Sequence, residues 1–156
     1  MSEFNNVISY GQFYNEGGNV DLTGAENNYV DISLVATPVD NLLKNIKSTG
    51  LTGFGVEILN TGNYYGSFQF SAFAGDSKTY SIIGLQGSSI VIPEFRFYQQ
   101  ATTLAYEFSM DFMTTLDTGQ KLTFQIRVES AALPTTALQL LNVKLAMFNL
   151  RQLGIH

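Results

Sequence analysis

Residues 122–129, LTFQIRVE, alternate without a break: Leu122, Phe124, Ile126 and Val128 share one phase, and Thr123, Gln125, Arg127 and Glu129 share the other. A period of two puts successive side chains on opposite faces of an extended chain, so this stretch predicts a strand with one face buried and one wet. The same signal recurs on either side of it. Tyr106, Phe108, Met110 and Phe112 alternate with Glu107, Ser109 and Asp111, and Phe68, Phe70 and Ala72 form a stripe before Gly75-Asp76. Val143, Leu145 and Met147 make the last stripe, and Val56 and Ile58 follow Phe54 into the turn sequence Asn60-Thr61-Gly62. Val30, Ile32 and Leu34 alternate within residues 29–36, and Tyr80, Ile82 and Ile83 lead to Gly84. Ile90, Ile92, Phe95 and Phe97 are interrupted by Pro93, which suits an edge strand or a bulge. Seven or eight short strands with no long helical period read as an all-β protein, an antiparallel β-sandwich. Only residues 39–47, VDNLLKNIK, leave helix and strand equally open.

The 156 residues suffice for one domain with a real core. Charged residues make up 13% of the chain, against about 25% in ordinary domains. Twelve Phe and eight Tyr raise the apolar content, which excludes disorder and points either to extensive two-layer packing or to subunit surfaces that never meet water. A net charge of −5 and eight scattered basic residues argue against nucleic acid and against an anionic membrane surface. No apolar run is long enough to span a bilayer, and the first six residues lack the basic start and apolar run of a signal peptide. Residues 1–28 are rich in Asn and Gly yet hold Val7, Ile8, Tyr10, Phe13 and Tyr14. They read as an N-terminal arm docking on its own or a neighbouring subunit, ahead of a β-sandwich over 29–156.

Little chemistry is available. There is no cysteine, and the single histidine is His156 at the end of the chain, where it cannot orient a nucleophile. Paired carboxylates are the remaining enzymatic route, that of a carbohydrate-active enzyme. The possible members are Asp31, Glu57, Asp76, Glu94, Glu107, Asp111, Asp117 and Glu129, and most of them alternate with apolar residues, which makes them polar-face residues of strands. No cofactor is called for; a structural calcium ion at Asp76, Asp111 and Asp117 is the one ion-binding arrangement the oxygen donors suggest. Tyr64 and Tyr65 are adjacent, so one of them leaves the core face, and the pair is the candidate subunit interface.

The segment Gly62-Asn63-Tyr64-Tyr65-Gly66-Ser67-Phe68 resembles the Gly-x-Tyr-Tyr-x-x-Tyr/Phe strand of the C1q/TNF-like jelly rolls, with Gly66 where that family often has another aromatic residue. Relatives of that family include trimeric heads of viral or phage fibres and of bacterial exosporium proteins. Leu116-Asp117-Thr118-Gly119-Gln120-Lys121-Leu122-Thr123-Phe124 resembles its Leu-x-x-Gly-Asp turn and strand, with Gln120 replacing the acid. The last strand lacks the Phe-x-Gly of many members. The resemblance spans residues 29–150 and implies a ten-stranded jelly roll that closes into a homotrimer, is not an enzyme, and recognises receptors through outer loops and intersubunit clefts. The expected function is a structural and recognition module on the surface of a virus or phage particle, a fibre or spike head in contact with other particle proteins. A capsid or capsid-decoration protein, a secreted C1q/TNF-like ligand and a carbohydrate-active enzyme are the alternatives. The segments 74–79, 99–103 and 130–136 are the expected outward loops, with Asp76, Lys78, Gln99, Gln100, Thr102 and Thr103 available to a cell-surface glycan or protein receptor.

Overall fold

The structure, a computed structural model, describes residues 9–20, 28–32, 39–48, 55–74, 77–100, 104–129 and 138–149. Every regular element among them is a strand: β1 (Tyr10–Val20), β2 (Val30–Asp31), β3 (Val39–Lys44), β4 (Ile46–Ser48), β5 (Gly55–Ile58), β6 (Gly62–Phe73), β7 (Lys78–Gln86), β8 (Ser89–Gln99), β9 (Tyr106–Leu116), β10 (Lys121–Val128) and β11 (Leu138–Asn149). They form two antiparallel sheets, ordered β3-β1-β11-β6-β9 and β4-β5-β10-β7-β8, with the two-residue β2 beside β10. The implied ten-stranded jelly roll is therefore present, with β2 as a short addition.

The apolar stripes face each other between the sheets. Leu122, Phe124, Ile126 and Val128 of β10 are buried, as are Phe68 and Phe70 of β6. Phe68 stacks on Phe124 across the sandwich at 4.6 Å between ring centroids, and Phe70 meets Phe97 of β8 edge-on at 5.2 Å. Phe97 also packs on Phe108 of β9 at 4.6 Å and on Tyr80 of β7 at 5.4 Å. Burying such a ring contributes about 1.5–3 kcal/mol, and a well-placed aromatic pair about 0.5–1.5 kcal/mol more. Gly66 explains its own departure from the motif: a Cβ there would lie 2.5 Å from the Phe112 ring of its cross-strand partner. Phe112 fills the place a side chain at 66 would need.

Three segments take forms that local pattern left open. Residues 10–20, within the expected arm, are strand β1, paired with β11 on one side and β3 on the other. Residues 1–8 and 21–27 lie outside the described residues. The 39–48 segment is extended rather than helical, as β3 and β4, with the break at Asn45, whose φ of 57° is the left-handed conformation Asn tolerates. Of the strand expected at 29–36, Val30 and Asp31 pair with β10 and Ile32 is buried, whereas Leu34 lies outside the described residues. Pro93 sits on the edge strand β8, where the β7–β8 register shifts between Ile82 and Leu85.

Candidate functional site on the outer face of the five-stranded sheet

Register on this sheet can be followed row by row. Tyr65 of β6 lies opposite Met113 of β9 on one side and Phe148 of β11 on the other, and Phe148 lies opposite Tyr10 of β1. All four are out of phase with the buried stripes of their strands, so they point away from the core. Met113 is 66% exposed, Tyr65 39% and Phe148 36%, and the Tyr65 and Phe148 rings sit 5.7 Å apart. Tyr64, also expected at a subunit contact, is fully buried, and its hydroxyl donates to the Asn60 carbonyl at 2.7 Å. That expectation is corrected: Tyr64 shares the inward phase of Phe68 and belongs to the core, and Tyr65 alone leaves it.

The next row is smaller and polar: Asp111, Ser67, Ala146 and Gln12. Beyond it lies an open groove of about 570 Å³ whose lining includes Tyr14, Gln69, Ser71, Glu107, Ser109 and Lys144. One rim is built by a bulge in β11, where the register with β6 shifts between Leu141 and Lys144. Asn142 occupies that bulge at φ 51°, and its Oδ1 accepts from the Tyr14 hydroxyl at 2.8 Å. Other exposed apolar side chains are Tyr98, near the end of β8, and Leu104 and Tyr106, at the start of β9.

Of the expected recognition residues, the described ones sit at one end of the β7–β8 pair. Lys78 opens β7 and lies opposite Gln99 in the β7–β8 register. Gln99 closes β8 in the inward phase of Phe95 and Phe97 and is fully buried, so it presents nothing to an outside ligand and its placement on an outward loop is corrected. Its Nε2 donates to the Gln100 carbonyl at 3.2 Å, and Gln100 itself is exposed. Asp76, Thr102 and Thr103 lie outside the described residues.

The other sheet carries a charged cluster on its outer face. Glu94 and Glu129 both lie within hydrogen-bonding distance of the buried Ser81 hydroxyl, at 2.9 and 3.1 Å. Arg96 and Arg127 pair with both acids, and the Arg127 guanidinium lies 5.0 Å from the centre of the Tyr29 ring. Desolvation raises the Glu129 carboxyl, but hydrogen bonds from Arg96 and Ser81 and the charges of Arg96 and Arg127 outweigh it and hold the group below its ordinary value. This meeting of two carboxylates is thus an ion-pair network in which Glu129 stays ionised, unsuited to a general acid. Asp117 is held by Gln86, which donates from Nε2 at 3.1 Å and accepts from the Asp117 amide at 2.7 Å. Among the described residues no group of three acids, histidines or cysteines converges as a metal site, and no helix is long and apolar enough to cross a membrane.

Sequence reasoning singled out Tyr65 but passed over Met113, Phe148 and Tyr10. For Met113 and Phe148 the signal was the same as for Tyr65, a large apolar residue one step out of phase with a clear stripe. Met113 follows Phe112, and Phe148 follows Met147.

No protein-family profile and no curated protein matches the chain in sequence. Solved structures do resemble it in fold. Murine APRIL at pH 5.0 aligns with a TM-score of 0.63 and 14% identity, over 92% of this chain and 99% of that one. The Eiger TNF of S. frugiperda aligns at 0.57 and 14% identity, over 92% of each chain. The vertex protein P5 of PRD1 aligns at 0.56 and 12% identity, over 92% of this chain and 97% of that one. With the strand order and the Gly62–Phe68 segment in place, these likenesses identify the fold of this chain as the C1q/TNF-like jelly roll.

Proposed function

We propose that this chain is a non-enzymatic structural and recognition subunit of a virus or phage particle, a fibre or spike head that works as a homotrimer. The observation that carries the reading is the row Met113–Tyr65–Phe148, bare at one end of the five-stranded sheet. Contiguous apolar side chains on an outer face mark a surface that a protein partner covers. Leu104 and Tyr106 supply a second surface at the other end of β9, with Tyr106 seven residues or about 24 Å along the strand from Met113. Two unlike patches on one chain suit a head-to-tail contact, and such a contact closes into a ring when the rotation permits. Likeness to a vertex protein supports a place on a particle. Likeness to APRIL and to Eiger TNF supports a secreted ligand as the second reading, and recovery of the chain from purified particles rather than from culture medium separates the two.

Light scattering tests the assembly. The wild type is expected at three times the 17.2 kDa chain mass, and the double variant Tyr65→Asp with Phe148→Asp at one chain mass with its β-sheet circular dichroism intact. A wild type that is monomeric throughout the micromolar range overturns the trimer.

A further inference from the structure

The groove on the five-stranded sheet has a chemistry of its own. Lys144 of β11 and Glu107 of β9 both line it, and among the described residues neither has an ion-pair or hydrogen-bond partner for its side chain. The side chains of Gln69, Ser71 and Ser109 are likewise without a partner among the described residues. Ser71, 8% exposed as a whole residue, belongs to the groove lining with them. The groove lies within the usual range for small-ligand sites, roughly 300–1,000 Å³. Its two formal charges cancel. An anionic ligand would meet Glu107 and a cationic one Lys144, and either would bury an unfavourable pair. A ligand suited to both is neutral and carries groups that donate and accept at once, as adjacent sugar hydroxyls do.

We propose that this groove binds a neutral saccharide unit, with Lys144 donating to and Glu107 accepting from its hydroxyls. Ser71, Ser109 and the Gln69 carboxamide complete the set, and the Tyr14–Asn142 hydrogen bond fixes the rim. This deepens the reading of the chain as a recognition subunit and moves the contact from the outer loops to a sheet face.

The test uses the full chain in its native assembly. Amide spectra are recorded during titration with maltose, lactose and N,N′-diacetylchitobiose, and with 6′-sialyllactose as the charged probe. Expected are saturable shifts at residues 69, 71, 109 and 144 with at least one neutral disaccharide. Lys144→Ala and Glu107→Ala should each weaken that binding about tenfold. Lys121→Ala, an exposed lysine on the other sheet, should leave it unchanged. The proposal is overturned if no neutral disaccharide moves those amides at tens of millimolar, or if the sialylated probe binds more tightly than its neutral core. Failure here with an intact trimer leaves the assembly standing; binding by a protein that proves monomeric leaves the groove and removes the trimer.

Discussion

On the outer face of the six-stranded sheet the region over Ser81 brings its own cover, although Ile90 and Tyr98 of β8 stay exposed; the outer face of the five-stranded sheet has no such covered region among the described residues. On β7, Ser81, Ile83 and Leu85 point away from the core yet are buried, and over Ser81 lie Arg96, Arg127, Glu94, Glu129 and the ring of Tyr29. Two cations and two anions neutralise one another there, and most of their polar atoms are paired; the buried Arg127 Nε is left without a hydrogen-bond partner. On the five-stranded sheet the equivalent positions are apolar at one end and polar but unpaired at the other. The region over Ser81 is satisfied by its own side chains and has no call for a second molecule. A face that leaves Tyr65, Met113 and Phe148 in water at one end, and Ser71, Glu107 and Lys144 unpaired at the other, is incomplete as a single chain.

Adjacent tyrosines give the largest contrast. Tyr64→Ala empties a fully buried site and orphans the Asn60 carbonyl, and should cost about 3–5 kcal/mol at any protein concentration. Tyr65→Ala should cost under about 1 kcal/mol in the folded subunit. Its loss should grow on dilution, because it acts through association. Urea melts at two protein concentrations separate the effects, and equal losses for the two variants would mean that β6 does not divide core from interface between residues 64 and 65.

The ion-pair network predicts an effect of middle size. Glu129 titrates below its ordinary value in the folded chain, so its contribution is present above the ordinary glutamate range, about pH 4.3, and is lost as pH falls through the lowered value. Thermal melts of the wild type should therefore decline on the acid side, while Glu129→Gln starts lower at neutral pH and declines less. Because these groups face away from the apolar row, the oligomer mass of Glu129→Gln at neutral pH should match the wild type. A change in mass would tie the two faces together.

Tyr29 predicts the smallest effect. Burial raises its phenol above the ordinary value, opposed by the charge of Arg127 and assisted by that of Glu94. A raised value contributes stability below about pH 10 that is lost as pH rises through the raised value. Tyr29→Phe should leave the neutral melt almost unmoved and flatten the alkaline decline. An unchanged alkaline limb would show that the Tyr29 phenol is not buried in solution.

The strands β6, β9, β10 and β11 could be read directly, because a sheet buried on one face imposes a period of two and the chain carries it in long side chains: Phe68 and Phe70, Met110 and Phe112, Leu122 to Val128, Val143 to Met147. Fold class and the outward turn of one of two adjacent tyrosines both follow from such local spacing. Strand β1 could not be read that way. Its inward positions are Gly11, Phe13, Asn15, Gly18 and Val20, two large apolar side chains in five, and Gly17 has a φ of 104°. It is a strand because β3 and β11 offer hydrogen bonds on both edges and the Asn15 carboxamide accepts from the Gly17 amide at 2.6 Å. The extended form of residues 39–48 and the burial of Gln99 have the same origin, partners distant in sequence. The outer-face row and the groove are a further step removed, since each joins residues from three or four strands that only sheet register brings side by side. Local alternation says which way a side chain points; what stands next to it is decided by pairing between strands far apart in the chain.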